Sequence, residues 1–289
     1  MMLALGAGAA SLAVAPAAAD EILASVNSTA YNGYARAKQA DGTFKPETYA
    51  FGQGHYLSGQ MHDPSIEGFP FLKLVQTLAP YLARQNYLPA PGPAQTDLII
   101  VVHWGTTVPY NDATYGSAVD SLQKAQISDA TAGTTAEASP GQQSSELTGA
   151  LMEIQAEKRQ RDLANARNAA LLGYQGDMNR YGDLARLAGF GSHYHDLVAD
   201  VEEDRYFVIL TAYDHRALSK EKKRKLLWIT RVSIVVRGNR FDEQLGAMLA
   251  IAAPYFGHDL PGLVRQTVPE GKVKIGEPKV IGIAPEPHK

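Results

Sequence analysis

TDLIIVVHWGTT, residues Thr96–Thr107, is the stretch whose reading decides the fold. Leu98 to Val102 is apolar on both alternating sides, and four of its residues are β-branched. Periodicity alone fits either a short buried helix or a strand covered on both faces; the β-branched content decides for the strand. The spacing therefore predicts a central strand over Asp97–Trp104. His103 stands at its exit. Buried polar groups are normally paired, so His103 is expected to be half-buried and hydrogen-bonded to a neighbouring loop. The alternative is a catalytic imidazole lining a crevice.

Further strands lie on either side. ETYAFGQGHYL (Glu47–Leu57) carries aromatic strand formers, and its glycines predict an early end or a bulge. From Pro70, Phe71, Leu74, Val75, Leu78 and Leu82 recur at helical spacing down to Asn86, with a kink expected at Pro80. PAPGP (Pro89–Pro93) is a turn. Downstream, RYFVILTAYDH (Arg205–His215) and LLWITRVSIVVRG (Leu226–Gly238) are two more strands, and the polar connection between them suits an antiparallel hairpin. The second strand sets Trp228, Thr230, Val232, Ile234 and Val236 on one side. Arg231, Ser233 and Arg237 on the other predict a face that is wet or turned to a site. Asn239 is expected to cap a helix with the stripe Phe241, Leu245, Met248, Leu249 and Ala252. GKVKIGEPKVIGI (Gly271–Ile283) has the lysines and proline that an edge strand tolerates.

This order predicts an α+β fold, a mostly antiparallel sheet with helices on one face. Residues 20–104 and 205–289 would form one domain. Residues 105–204 would be an insertion, with a flexible loop over 128–145, where small polar residues cannot bury enough apolar area to order themselves, and a long helix over about 146–172.

The N-terminus predicts export. Leu3–Val14 is apolar but too short to span a bilayer, and Ala17 and Ala19 form an A-x-A pattern before Asp20. Residues 1–19 are therefore expected to be a signal peptide, and the mature chain to be periplasmic or secreted with no transmembrane segment. Absence of cysteine excludes disulfides and thiolate metal sites. A net charge of −3 over 289 residues argues against a dedicated nucleic-acid binder.

Residues 43–104 resemble the opening of a family of exported bacterial proteins of unknown function, many of them lipoproteins. The resemblance rests on a TYAW-like strand with Tyr49 and Phe51, a KGY-like turn at Asn86 and Tyr87, and a strand opening at Asp97. The chain departs from that family in having no lipid-bearing cysteine and a long insertion. The resemblance implies an envelope location and a small α+β domain; it implies no activity.

Motifs for phosphate loops, nucleophile elbows, zinc helices, EF-hands and dinucleotide turns are missing, so no cofactor is expected. Three sets of residues still carry chemistry. His103, His215 and Arg231 are candidate catalytic residues for a hydrolase-like enzyme, Asp214 beside His215 being a possible orienting partner. His193 and His195 in GSHYHD would point the same way on an extended segment, Asp196 adds a carboxylate, and the three are candidate metal ligands for a metal-handling protein. Lys222, Lys223, Arg224 and Lys225 form a basic connection, opposite the acids of Asp200–Asp204, suited to an envelope protein partner or an anionic membrane surface. The function expected is that of a non-catalytic exported envelope protein, a binding or assembly module.

Overall fold

In the computed structural model, which describes residues 22–110, 120, 140–188 and 191–268, the stretch Thr96–Thr107 supplies an interior strand, third in the order of a seven-stranded sheet. The strands are β1 (Ile22–Ala30), β2 (Glu47–Leu57), β3 (Tyr87–Pro89), β4 (Leu98–Thr106), β5 (Arg205–Asp214), β6 (Leu226–Val235) and β7 (Val264–Val268). Their order is β3-β2-β4-β5-β6-β1-β7. β2 pairs parallel with β3 and β4; all the remaining pairs are antiparallel. The fold is α+β and mostly antiparallel. Where Gly105 meets Leu57, a Cβ would lie 2.1 Å from the Leu57 carbonyl oxygen, so only glycine allows β2 and β4 to approach there.

One face of the sheet is a continuous apolar core. Ile100, Val102, Tyr206, Val208, Leu210, Trp228 and Ile234 meet helix α1 (Phe71–Ala83) and, near the end of the described chain, a second helix over Phe241–Ala252. Every residue of the expected stripe Phe241, Leu245, Met248, Leu249 and Ala252 is buried. Asn239 does not cap this helix, however. Its amide donates to the Val235 and Arg237 carbonyls, and the Phe241 N–H is met by the Ser65 hydroxyl at 3.0 Å.

The other face is covered by the insertion. Its helices are α2 (Pro140–Leu172), α3 (Gln175–Ala188) and α4 (Gly191–Glu202); the short α5 (His215–Glu221) follows β5, and the helix over Phe241–Ala252 becomes α6. Ala169, Leu172, Tyr174, Leu197 and Val201 pack on Phe207 and Ile209. Helices therefore lie on both faces: α1 and α6 share one, and the insertion adds a layer on the second. Beside this apolar cluster runs a buried polar network. Arg205, 3% exposed, donates to Ser233 and pairs with Asp200 at 3.5 Å, while Tyr174 donates to Ser25 at 2.7 Å. Asp200 also holds Arg265 at 2.6 Å. Gly173, at φ +83°, turns the chain here; a Cβ would sit 2.6 Å from Asn27.

Several expectations need correction. The first strand is β1, ahead of the one expected at Glu47, and β3 follows a helix that ends at Ala83 rather than Asn86. The edge strand is Val264–Val268; Gly271–Ile283 lies outside the described residues, as do the signal segment and residues 128–139 of the expected loop. The remainder of that loop, from Pro140, is already helix α2. Ser233 is buried under the insertion rather than wet. No helix among the described residues is long and apolar enough to cross a membrane.

Candidate functional site: the basic end of the sheet

β1 ends and β2 begins at the same end of the sheet, yet β6, β5 and β4 stand between them. The connection over 31–46 therefore has to pass the ends of those strands. It starts with a tight turn at Asn32 and Gly33, both at positive φ, closed by the Tyr34 N–H on the Tyr31 carbonyl at 2.9 Å. Arg36 then anchors it. Its guanidinium lies 3.9 Å over the Tyr87 ring and 4.4 Å over Phe44, and pairs with Glu47 at 3.3 Å. The Tyr34 hydroxyl donates to the same carboxylate at 2.6 Å. Burial, with the Tyr87 hydroxyl beside it, pushes the Tyr34 phenol far above its ordinary value, so it stays a donor.

Between this connection and the strand ends lies a cavity of about 530 Å³. The connection contributes Asn32, Gly33, Tyr34 and Lys45, and the start of β2 contributes Glu47. Thr96 and Asp97 come from the entry to β4, and Asp214, Arg216 and Lys225 from the β5–β6 region. The acids are already engaged. Glu47 holds Tyr34 and Arg36; Asp97 accepts from the Thr48 N–H and hydroxyl; Asp214 accepts from the Ala217 N–H and faces Lys225 at 3.9 Å. The cations are not. Among the described residues Lys45, Arg216, Lys220, Lys222 and Arg224 make no ion pair, and all are exposed. The excess of positive charge expected at Lys222–Lys225 thus extends to the mouth of a cavity: α5 carries Arg216 and Lys220, and Lys222–Lys225 follow it in the segment before β6. Lys222 adopts the left-handed conformation that ends α5, and the Lys223 N–H returns to the Ala217 carbonyl.

The catalytic candidates do not converge. His103 is half-buried, and its Nδ1 accepts from the His55 N–H at 3.0 Å, in the bulge where β2 shifts register. Burial, then the neighbouring His55, lowers its pKa below 6.5. His215 sits at the opposite end of β4, its N–H on the Asp97 carbonyl and its Nδ1 2.9 Å from the Thr96 oxygen. Six strand positions, roughly 20 Å, separate the two. Asp214 caps α5 instead of orienting His215. Arg231 shares a cross-strand row with His103, but Ile209 stands between them, and its Nη1 donates to Asn27 at 3.3 Å.

The metal reading fails on geometry. His193 and His195 lie on helix α4, not on an extended segment, and two residues of helix turn side chains about 200° apart. His193 packs edge-on against Tyr181 at 4.3 Å, and His195 and Asp196 are exposed. No group of three or more metal-ligating side chains occurs among the described residues. The acidic end is also weaker than its composition: Asp200 is tied to Arg205 and Arg265, and Glu202 is held by Arg161 at 2.6 Å and by Asn165.

No known family model matches the chain, and a search of curated proteins finds no match. What fold and site define is a sheet protein with an asymmetric basic end.

Proposed function

We propose that the protein is an exported envelope protein and a non-catalytic binding module, whose basic end docks on an anionic membrane surface. The observation that carries this reading is the set of cations, Arg216, Lys220, Lys222 and Arg224, exposed around one end of the sheet with no ion pair among the described residues. Each Lys or Arg near an anionic surface contributes on the order of 1 kcal/mol at moderate salt. The A-x-A pattern before Asp20, and the resemblance of residues 43–104 to exported proteins, support the compartment.

Cosedimentation with vesicles tests the docking. The wild type should bind anionic vesicles at low salt, and replacing Lys222, Lys223, Arg224 and Lys225 with Gln should abolish binding, as raised salt should in the wild type. The thermal midpoint of that variant should hardly move, because these side chains are exposed. A wild type that ignores anionic vesicles sinks the lipid reading. An acidic envelope protein, sought by pull-down with the same variant, would then be the partner.

A further inference from the structure

The geometry points to a second, more specific element at this end: the cavity between the β1–β2 connection and α5 is a binding site for a phosphomonoester, gripped by Lys45 and Arg216. This deepens the docking reading and rests on it for the source of the ligand. The volume of about 530 Å³ falls within the range of small-molecule sites, about 300–1,000 Å³. It is far more than a bare ion needs. Leu98, Leu227 and Pro46 give it apolar wall for an organic residue.

Charge selects the head group. Glu47, Asp97 and Asp214 line the cavity, but each is held by donors of the protein itself, whereas Lys45 and Arg216 have no ion-pair partner among the described residues. One cation comes from the connection and the other from α5, so a ligand must reach both elements. A phosphomonoester, with close to two negative charges and three terminal oxygens, can accept from both at once. A carboxylate has one charge and two oxygens in one plane, and Arg216 alone would satisfy it. Tyr34 and Thr96 line the same space, with their hydroxyls held by Glu47 and by the Gly92 carbonyl.

The probe is glycerol 3-phosphate, titrated into the full mature chain and followed by amide chemical shifts. Saturable shifts are expected at Gly33, Lys45, Thr96 and Arg216, and none with glycerol. Lys45→Gln with Arg216→Gln should weaken binding about 100-fold, about tenfold for each positive charge removed. Arg159→Gln, an exposed cation on α2 outside the cavity lining, should leave it nearly unchanged. Both variants replace exposed side chains, so folding is not at stake. A flat wild-type titration, or a double variant that binds like the wild type, overturns the inference. Vesicles then separate the sources. If glycerol 3-phosphate displaces the protein from phosphatidic acid vesicles, the group is a lipid head group. If the probe saturates the site and no vesicle binds, the site stands with a soluble phosphomonoester as its ligand and the docking reading falls. Vesicle binding lost in the basic-connection variant, beside a flat probe titration, leaves docking intact and removes the cavity site.

Discussion

On the face that carries Trp228 and Val102, apolar side chains from the strands meet α1 and α6, and the few buried polar groups, such as Ser28 with Thr230, are uncharged and paired locally. On the face that carries Arg205 and Ser233, a small apolar patch is joined to a network in which Asp200, Tyr174, Ser25 and Arg265 each depend on another member. The contrast is between two kinds of cohesion. Apolar burial is non-directional, so its loss scales with the volume removed. A buried ionic network is directional, so removing one member strands the rest.

The largest effect should come from Trp228→Ala. Trp228 is fully buried, stacked on Phe256 at 6.1 Å and packed against Tyr87 at 5.8 Å, and its loss should cost about 3–5 kcal/mol in urea unfolding. Both faces should melt together. Helical signal surviving after the sheet is lost would mean that the insertion stands on its own.

Next comes Arg205→Met, expected to cost about 3 kcal/mol because it leaves Asp200 with only Arg265 and Tyr174. Asp200→Asn added to it should cost less than the sum of the single changes by at least about 1 kcal/mol. Hydrogen exchange should show α4 losing protection before β5. Strictly additive costs would make the second face no different in kind from the first.

The smallest effect is a pH dependence. The folded pKa of His103 lies below its ordinary 6.5, so the unfolded chain takes up the proton first. The stability tied to His103 is therefore complete above about pH 7 and lost as the pH falls through 6.5 toward the folded value. Protonating Nδ1 also removes the acceptor of the His55 N–H. Urea midpoints between pH 7 and pH 5 should fall in the wild type and fall less in His103→Gln. The remaining slope belongs in part to His258, whose pKa is lowered by burial and then by Arg36 and Lys38. An unchanged slope would detach His103 from the balance.

The first face was largely legible in the sequence. Leu98–Val102 and the Phe241–Ala252 stripe announce themselves because period and burial coincide. β1 does not, since ILASVNSTA hides its pattern in small residues; Ser28 and Ser25 are buried as fully as Ala24 and Val26. The second face was nearly illegible for the same reason: Arg205, Ser233 and Tyr174 read as polar or amphipathic and are buried only because partners far along the chain receive them. GSHYHD misleads through period, for a motif whose two histidines agree on a strand disagrees on a helix. Of the basic end, the run Lys222–Lys225 was visible as composition. Lys45 and Arg216 were not, because only the passage of the 31–46 connection past the strand ends brings them to one cavity. The Asn32–Gly33 pair was the available signal for that turn.

The position of β1 also governs the order in which the molecule can assemble. Its partners are β6 and β7, and the Ser28–Thr230 hydrogen bond joins residues 202 apart. At about 5–20 residues per second, a ribosome takes roughly 10–40 s to make the intervening chain. For all that time the first strand to be made has nothing to pair with, and closing so long a loop keeps the barrier to completion high. β2, β3 and β4 can pair with one another as soon as they are made, so what topology delays is the closing edge of the sheet, where β1 waits for β6 and β7.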